Sequence, residues 1–501
     1  MSLGRRLLIE QGGPGHRGPE LPPCDVPTRP LAELLPGVPL RADLVFPQVS
    51  EPEVVRHFTE LSTLNHHVDR GFYPLGSCTM KYNPKINEEL AGLPGFTRAH
   101  PLAGDAATQG CLRVMAAVQR LLAEVTGFAA VTTQPAAGAH GELTGLLLIR
   151  AYHRSRGEGE RRRRVIVPDS AHGTNPASVS LVGYETVVVP SGPDSTVDLE
   201  AFARALDDRT AAVMLTVPNT VGQFEPRVRE VTRLAHQAGA LCYMDGANLN
   251  ALVGRVRPGD LGFDVMHINV HKTFSTPHGG GGPGAGPVAV APALEPFLPT
   301  PVAVMERDGR VRLDWERPQS IGRVHSFNGN FGILVRALAY MLSLGPAGLA
   351  EVSRRAILNA NYLMRRLARS YELPHAQACM HEFVLSGRGL KQYGVKTLDV
   401  AKRLLDFGVH APTVYFPLIV EEALMIEPTE TETFDRLDHF AAVMERIATE
   451  AAENPDLLHQ APLTTPVGRL DEARASRDPK LRWSVPERSG PVPGEEQAAW
   501  S

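Results

Sequence analysis

The residues of this sequence with the greatest chemical potential gather around Lys272. The run Met266-His267-Ile268-Asn269-Val270-His271-Lys272-Thr273 reads as a buried strand that carries a lysine to the mouth of a sheet, with His271 and Thr273 on either side. There the stem is buried and the amine can reach a ligand, which suits a Schiff-base nucleophile; a surface lysine after a strand is the plainer alternative. Asp245 ends another apolar run, Cys242-Tyr243-Met244-Asp245-Gly246-Ala247-Asn248. An acid at that point can pair with a protonated pyridine nitrogen or cap the next helix. Gly246 and Ala247 leave room for a flat ring. Gly138, Ala139 and His140, in Ala136-Ala137-Gly138-Ala139-His140-Gly141-Glu142, open an apolar run whose first N–H groups can hold a phosphate or simply make a tight turn. His172 follows a further run and can stack on a ring. A phosphate loop, a ring-facing histidine, an acid and a lysine, in that order at strand-to-helix junctions, form a pattern much more specific than any member. A lysine Schiff base with an aspartate partner is the signature of pyridoxal phosphate sites.

These residues need a scaffold, and the chain past residue 128 supplies its pattern. Apolar runs at 165–167, 186–189, 211–217, 241–244, 265–270 and 288–290 alternate with amphipathic stretches such as 228–238. Short apolar strands separated by helices predict an α/β fold with a large, mostly parallel sheet covered on both faces. Such sheets bind ligands at the carboxyl ends of their strands. Residues 101–325 form this expected large domain. Before it, 1–100 read as an arm, broken by Pro14, Pro19, Pro22, Pro23, Pro27 and Pro30, which predict an extended path over the surface. Helices are expected at 52–64 and 109–125. Residues 326–460 predict a smaller α+β domain, with helices at 334–344, 349–370 and 433–452 and β runs at 381–385 and 414–419. The tail, 461–501, is expected to be disordered from Ser484 onward.

Composition narrows the function. The chain has 501 residues, of which 43% are hydrophobic and 21% charged, with 51 basic against 55 acidic side chains and a net charge of −4. So even a balance offers no basic footprint for nucleic acid or anionic lipid. The 46 glycines and 42 prolines exclude a coiled coil or helical bundle and predict many sharp turns. Five scattered cysteines without a CxxC pair argue against a disulfide framework or zinc ribbon and favour a reducing compartment. No apolar run approaches the roughly 20 residues of a membrane span. Residues 1–9 lack the apolar core of a signal peptide, so the cytoplasm is the expected location. The glycine-dense 279–286 stretch lacks the Gly-Lys-Ser/Thr of a nucleotide loop. His381-Glu382 lacks the second histidine of HExxH, and no metal site is expected.

Several longer motifs are more particular. The sequence resembles the pyridoxal-phosphate-dependent glycine decarboxylases of the glycine cleavage system, the P-proteins, and within them the second subunit of the two-subunit bacterial form. The likeness is carried by Tyr73-Pro74-Leu75-Gly76-Ser77-Cys78-Thr79-Met80-Lys81-Tyr82-Asn83-Pro84, by Pro218-Asn219-Thr220 with Phe224-Glu225, and by Val270-His271-Lys272-Thr273 through Gly279-Gly280-Gly281-Gly282-Pro283-Gly284. Gly322-Arg323-Val324, Gly329-Asn330-Phe331-Gly332, Pro412-Thr413-Val414-Tyr415-Phe416-Pro417, Glu427-Pro428-Thr429-Glu430-Thr431 and Thr464-Thr465-Pro466-Val467 extend it along almost the whole chain.

The resemblance implies the aminotransferase-like fold type I and an oxidoreductase that takes the carboxyl group from glycine. It implies a Schiff base at Lys272, Asp245 on the pyridine nitrogen, His172 stacked on the ring, Gly138, Ala139 and His140 at the phosphate and Asn219 on the phenolic oxygen. Ala247, His271 and Thr273 complete the implied cofactor contacts. It further implies transfer of the aminomethyl group to the oxidised lipoyl arm of the H-protein, and a heterotetramer with two copies each of the first and second subunits. His140, where a glutamine-like residue is expected, and Asn328, where an aromatic or histidine is expected, depart from the family pattern. The alternative reading is another fold type I amino-acid decarboxylase or lyase.

Overall fold

The computed structural model describes residues 7–12, 16–18, 20, 22–40, 46–280 and 282–483; the tail beyond 483, where disorder is expected, lies outside them. Seven short apolar runs become one sheet: β1 (Ala130–Thr132), β2 (Arg164–Pro168), β3 (Glu185–Val189), β4 (Thr210–Thr216), β5 (Leu241–Gly246), β6 (Val265–Ile268) and β7 (Val288–Val290). Their spatial order is β1-β7-β6-β5-β4-β2-β3. Only β7 runs against the others, pairing antiparallel with both β1 and β6.

Alternation along the central strands explains why they are mostly apolar on both faces, while the edge strand β3 is partly exposed. Ile166, Val213, Cys242 and Met266 point into a core shared with the helix Gln109–Thr126, with Val231 and with Leu334. Val165, Ala212, Tyr243 and Val265 point into the opposite core with Leu146, Leu148 and Ile149 of the helix Gly138–Ser155. A sheet buried on both faces keeps its ligand-binding residues for the strand ends. Accordingly β4 ends at Thr216, β5 at Asp245 and Gly246, and β6 just before the short helix Val270–Thr273 that carries Lys272. The run expected at 265–270 is therefore a shorter strand followed by a helix.

A second core lies around the antiparallel sheet β10 (Phe383–Ser386), β12 (Ala423–Ile426) and β11 (Thr413–Val414), in that spatial order, packed by Leu363, Met364, Leu404, Phe440 and Met444. The strand expected at 414–419 stops at Val414, because Pro417 cannot donate to a ladder and Phe416 and Pro417 enter a turn. Four strands escaped the periodicity reading: β1, β12 and the hairpin pair β8 (Val302–Met305) and β9 (Val311–Asp314). Each is four residues or fewer, too short to show a period.

By length and hydropathy the helical stretch Phe331–Leu367 could cross a membrane. Gly345 (φ 62°) and Pro346 divide it into two helices, and its buried side chains serve both cores. The break falls in the gap between the expected helices.

The first hundred residues behave in two ways. Residues 22–40 are exposed throughout, as an arm on the surface would be. The segment from Phe72 onward instead enters the protein: Phe72 joins the second core, and Leu75 forms an antiparallel bridge with Ile426. Lys81 is buried, with its Nζ 2.8 Å from Glu430 Oε1, 2.8 Å from the Thr273 carbonyl, 2.9 Å from Asn250 Oδ1 and 3.2 Å from the Tyr340 hydroxyl. A buried ammonium is tolerable only when so many acceptors surround it. Its bond to Thr273 ties the entering segment to the helix of Lys272.

Candidate active site

The strand ends and the entering segment enclose a cleft. Gly138, Ala139, His172, Asp245, Ala247 and Lys272, all singled out from the sequence, line it. So do Ser77, Glu142, Thr174, Thr216, Thr220, Asn248, His267 and Asn269.

Asp245 is almost fully buried, and its oxygens are heavily partnered. Asn175 Nδ2 donates to Oδ2 at 3.0 Å, the Ala247 N–H to Oδ1 at 2.9 Å, and His267 Nε2 lies 3.2 Å from Oδ1. Burial alone would push the carboxyl up. The His267 charge and hydrogen bond, with the Asn175 amide and Ala247 N–H, outweigh burial and hold it well below the usual carboxylate range. Burial lowers His267, while the Asp245 charge, the bond to it and the Glu142 charge pull it above its ordinary value. The Tyr243 hydroxyl lies 2.8 Å from His267 Nδ1. Glu142, raised by burial and then by the Asp245 charge, accepts from Asn175 Nδ2 at 3.1 Å. The result is an ionised aspartate at the end of β5, braced by a chain of side chains behind it.

Lys272 donates from Nζ to the Ser77 carbonyl at 2.8 Å. On the same cleft the helix Gly138–Ser155 begins without a capping side chain, its N-cap being Ala137. The first N–H groups of an α-helix have no intrahelical carbonyl, so those of Gly138, Ala139 and His140 offer donors and the positive dipole end to an anion. Close packing explains the glycines. A Cβ on Gly138 would lie 2.5 Å from the Asn269 amide, and one on Gly246 would lie 2.0 Å from the His267 carbonyl. His172 stands at the exposed edge of the cleft, 5.5 Å from the Phe416 ring, with Nδ1 accepting from the Thr174 N–H at 3.2 Å.

Four singled-out side chains lie outside the lining. Asn219 donates one amide N–H to the Ser195 carbonyl at 2.7 Å and accepts from the N–H groups of Val221 and Gln223, so its oxygen and one of its two N–H donors are spent on neighbouring backbone. Thr216 and Thr220 face the cleft from that region instead. His140 Nδ1 accepts from the Ala136 N–H at 3.1 Å, folding its ring back onto the loop near His325. His271 turns toward His278, its ring centroid 5.3 Å away; burial and then the charges of His278 and Lys272 lower it to about 3. Thr273 is buried, and its carbonyl takes Lys81. Asn328 is half-buried with an unpartnered Oδ1.

Glu142, Asn175 and His267 were not recognised as site residues from the sequence. A histidine inside the apolar run 265–268 is the signal that was available: His267 is the register partner of Asp245 on the neighbouring strand. Among the described residues three groups of side chains bring metal-type donor atoms within 4.8 Å of one another, including Glu142, Asp245 and His267. In that group the histidine and asparagine bonds already occupy the carboxylates.

A pyridine-phosphate cofactor fits these residues. The ionised buried Asp245 matches a protonated ring nitrogen, the uncapped helix start matches a phosphate, and the amine of Lys272 opens to the same cleft. Among the described residues, the buried Thr216 Oγ1, Asn248 Oδ1 and Asn269 Oδ1 of the lining have no hydrogen-bond partner.

Comparison with known proteins agrees. Residues 36–406 match the family model described as Glycine cleavage system P-protein, and 352–461 that described as Glycine dehydrogenase, C-terminal domain. A protein from Caldanaerobacter subterraneus subsp. tengcongensis named "Probable glycine dehydrogenase (decarboxylating) subunit 2" is 55% identical over 95% of this chain and 98% of its own. One of the same name from Halalkalibacterium halodurans is 56% identical, over 96% and 99%. Among solved structures, an inhibitor-bound glycine decarboxylase (P-protein) of the glycine cleavage system superposes with a TM-score of 0.69 at 21% identity, covering 83% of this chain and 94% of that one. A NifS-like protein gives 0.58 at 16% identity, over 75% and 100%. The shared architecture is fold type I, the expected fold class.

Proposed function

The chain belongs to the glycine cleavage system P-protein family and decarboxylates glycine, and from that premise we propose that it does so with pyridoxal 5′-phosphate held in the cleft of Lys272 and Asp245. The bound cofactor would supply an electron sink for the pair left behind when the glycine carboxylate departs as carbon dioxide. Asp245 keeps the ring nitrogen protonated, and with it the sink. Lys272 is the residue whose amine would hold the cofactor, and it would yield that place to the amine of glycine. The N–H groups of Gly138, Ala139 and His140 hold the phosphate, and His172 stacks on the ring. Ala247 carries the N–H that orients Asp245, while Asn219, His271 and Thr273 support the cleft from outside its lining.

The observation that carries this reading is the geometry at Asp245, a buried carboxylate held by Asn175, the Ala247 N–H and His267 at the end of a strand whose neighbour leads into the helix of Lys272. Reconstituted protein is expected to absorb near about 420 nm, the band of a lysine-bound cofactor; a colourless protein would overturn the cofactor assignment.

The name "subunit 2" borne by the relatives supports a companion subunit, and we assign two copies of each. As acceptor we assign the oxidised lipoyl arm of the H-protein: the aminomethyl carbon bonds one sulfur, the disulfide breaks, and the other sulfur leaves as a thiol. The disulfide is thereby the oxidant. The cytoplasm is the compartment we assign, in keeping with five free cysteines. Exchange of bicarbonate carbon into glycine is expected to require both the companion subunit and H-protein. Full exchange without either would favour another fold type I decarboxylase.

A further inference from the structure

A second buried trio touches the Lys272 amine through one turn of the entering segment. His381, Glu382 and Glu427 are fully buried, and their nearest donor atoms lie within 4.8 Å of one another. Glu382 Oε2 accepts the Ser77 N–H at 2.7 Å, and Glu427 Oε2 accepts the Thr79 N–H at 2.8 Å. Among the described residues, the other oxygen of each carboxyl and both ring nitrogens of His381 have no hydrogen-bond partner. The turn they grip is unusual. Ser77 and Thr79 have φ of 65° and 50°, the left-handed region that residues with a Cβ avoid unless their surroundings impose it. On its other side the Ser77 carbonyl receives Lys272 Nζ.

We propose that Glu382 and Glu427 are positioning residues that pin the 77–79 turn, so that the Ser77 carbonyl receives the Lys272 amine whenever that amine is free of the cofactor. The proposal rests on the reading of Lys272 as the Schiff-base residue. Displacement of the lysine by glycine would exchange one imine nitrogen for another without oxidation or reduction. The glycine ammonium would give up two protons and the Lys272 nitrogen would take up two, leaving as an ammonium. That ammonium needs a fixed acceptor, and a neutral carbonyl holds it without trapping it in an ion pair.

The state of the two acids suits this task. Burial and then the Glu427 charge raise Glu382, while burial also raises Glu427, so both favour the neutral form. His381 is lowered to about 3 by burial and then by the Lys272 charge, and stays neutral as well. The remaining titratable groups facing the pair are Lys272, Lys81, Cys78, Cys379 and Glu430. A neutral pin accepts from backbone N–H groups without competing for the lysine.

Cys78 lies within the turn and reports on it in protein free of cofactor. Its alkylation by iodoacetamide, followed by peptide mass spectrometry, is expected to accelerate at least about tenfold in Glu382→Ala and Glu427→Ala, because the unpinned turn opens. Glu382→Gln and Glu427→Gln keep a neutral acceptor and are expected to stay within about twofold of the unaltered protein. Colour formation on adding pyridoxal phosphate is expected to slow about tenfold in the alanine variants alone, as a prepositioned amine is lost. If Glu427→Ala does not fold, Glu382→Ala, which leaves Glu427 on Thr79, carries the same test. Unchanged Cys78 reactivity in a folded alanine variant would overturn the proposal. So would glutamine variants that behave like alanine, or one tightly held divalent metal per chain, which would make the carboxyls ligands. Absence of colour in the unaltered protein would sink the Lys272 reading and leave the Cys78 comparison interpretable.

Discussion

Two buried clusters in this protein have the same composition, two carboxyls and one histidine, and opposite charge states. In the first, Asp245 and His267 lie 3.2 Å apart, Asn175 bridges Asp245 to Glu142, and Tyr243 closes the far side of the histidine. There the aspartate is held low and the histidine high, an ion pair sealed from water. In the second, His381 Nε2 lies 3.7 Å from Glu382 and 3.9 Å from Glu427, beyond hydrogen bonding, and each acid spends one oxygen on a backbone N–H. There the acids are raised and the histidine lowered, a neutral group. Burial is common to both and favours neutrality. What differs is whether the carboxyl finds enough donors, together with a cation, to offset its lost hydration. The first cluster faces the cleft with a charge; the second grips a turn without one.

The comparison can be broken at several points. Lys272→Ala removes the amine on which both clusters bear, and is expected to abolish the band near about 420 nm and lower glycine–bicarbonate exchange by at least about a thousandfold with little loss of fold. Retained colour and activity would displace Lys272 from the site. Asp245→Asn keeps the shape and discards the charge, leaving His267 uncompensated. Exchange activity is expected to fall about a hundredfold or more, with about 3–5 kcal/mol lost from folding by denaturant titration. His267→Gln retains a donor but no cation, so Asp245 should lose its lowering. A smaller loss of exchange, about tenfold, is expected, with the acid limb of the activity profile moved upward. An unmoved profile would show that Asn175 and Ala247 suffice.

Glu427→Gln is expected to have the smallest effect, since burial already shifts the glutamate toward its protonated form, and it sharpens the contrast through pH. Glu427 is pushed up from 4.5 to about 7 in the folded protein. Between these values the unfolded chain releases its proton while the folded one keeps it. Stability therefore falls as pH rises through that window. The glutamine variant should lose this part of the slope, seen as a smaller difference between denaturation midpoints at about pH 5 and about pH 7. An identical slope would mean that Glu427 is ionised throughout.

Much of the site was legible because it is local. Lys272, Asp245 and Gly138 each follow or precede an apolar run, and the strand-to-helix junction that presents them is written in the same few residues. The sheet was legible for the same reason, since strands buried on both faces are apolar along their whole length. What escaped was set by register and long-range closure. His267 reaches Asp245 because β5 and β6 pair Asp245 with His267. Asn219 was expected at the cofactor, yet it lies outside the lining, and its oxygen and one amide N–H go to neighbouring backbone, a local engagement that spacing does not reveal.

By itself, then, the sequence determined the family, the fold class and the order of the chemical groups along the chain, because apolar period and short motifs are properties of neighbours. Only the tertiary structure decided which of those groups carry charge. Ser77 meets Glu382 across 305 positions of chain and Thr79 meets Glu427 across 348. A buried acid is ionised or neutral according to the donors that folding brings to it, and no stretch of sequence holds those donors together.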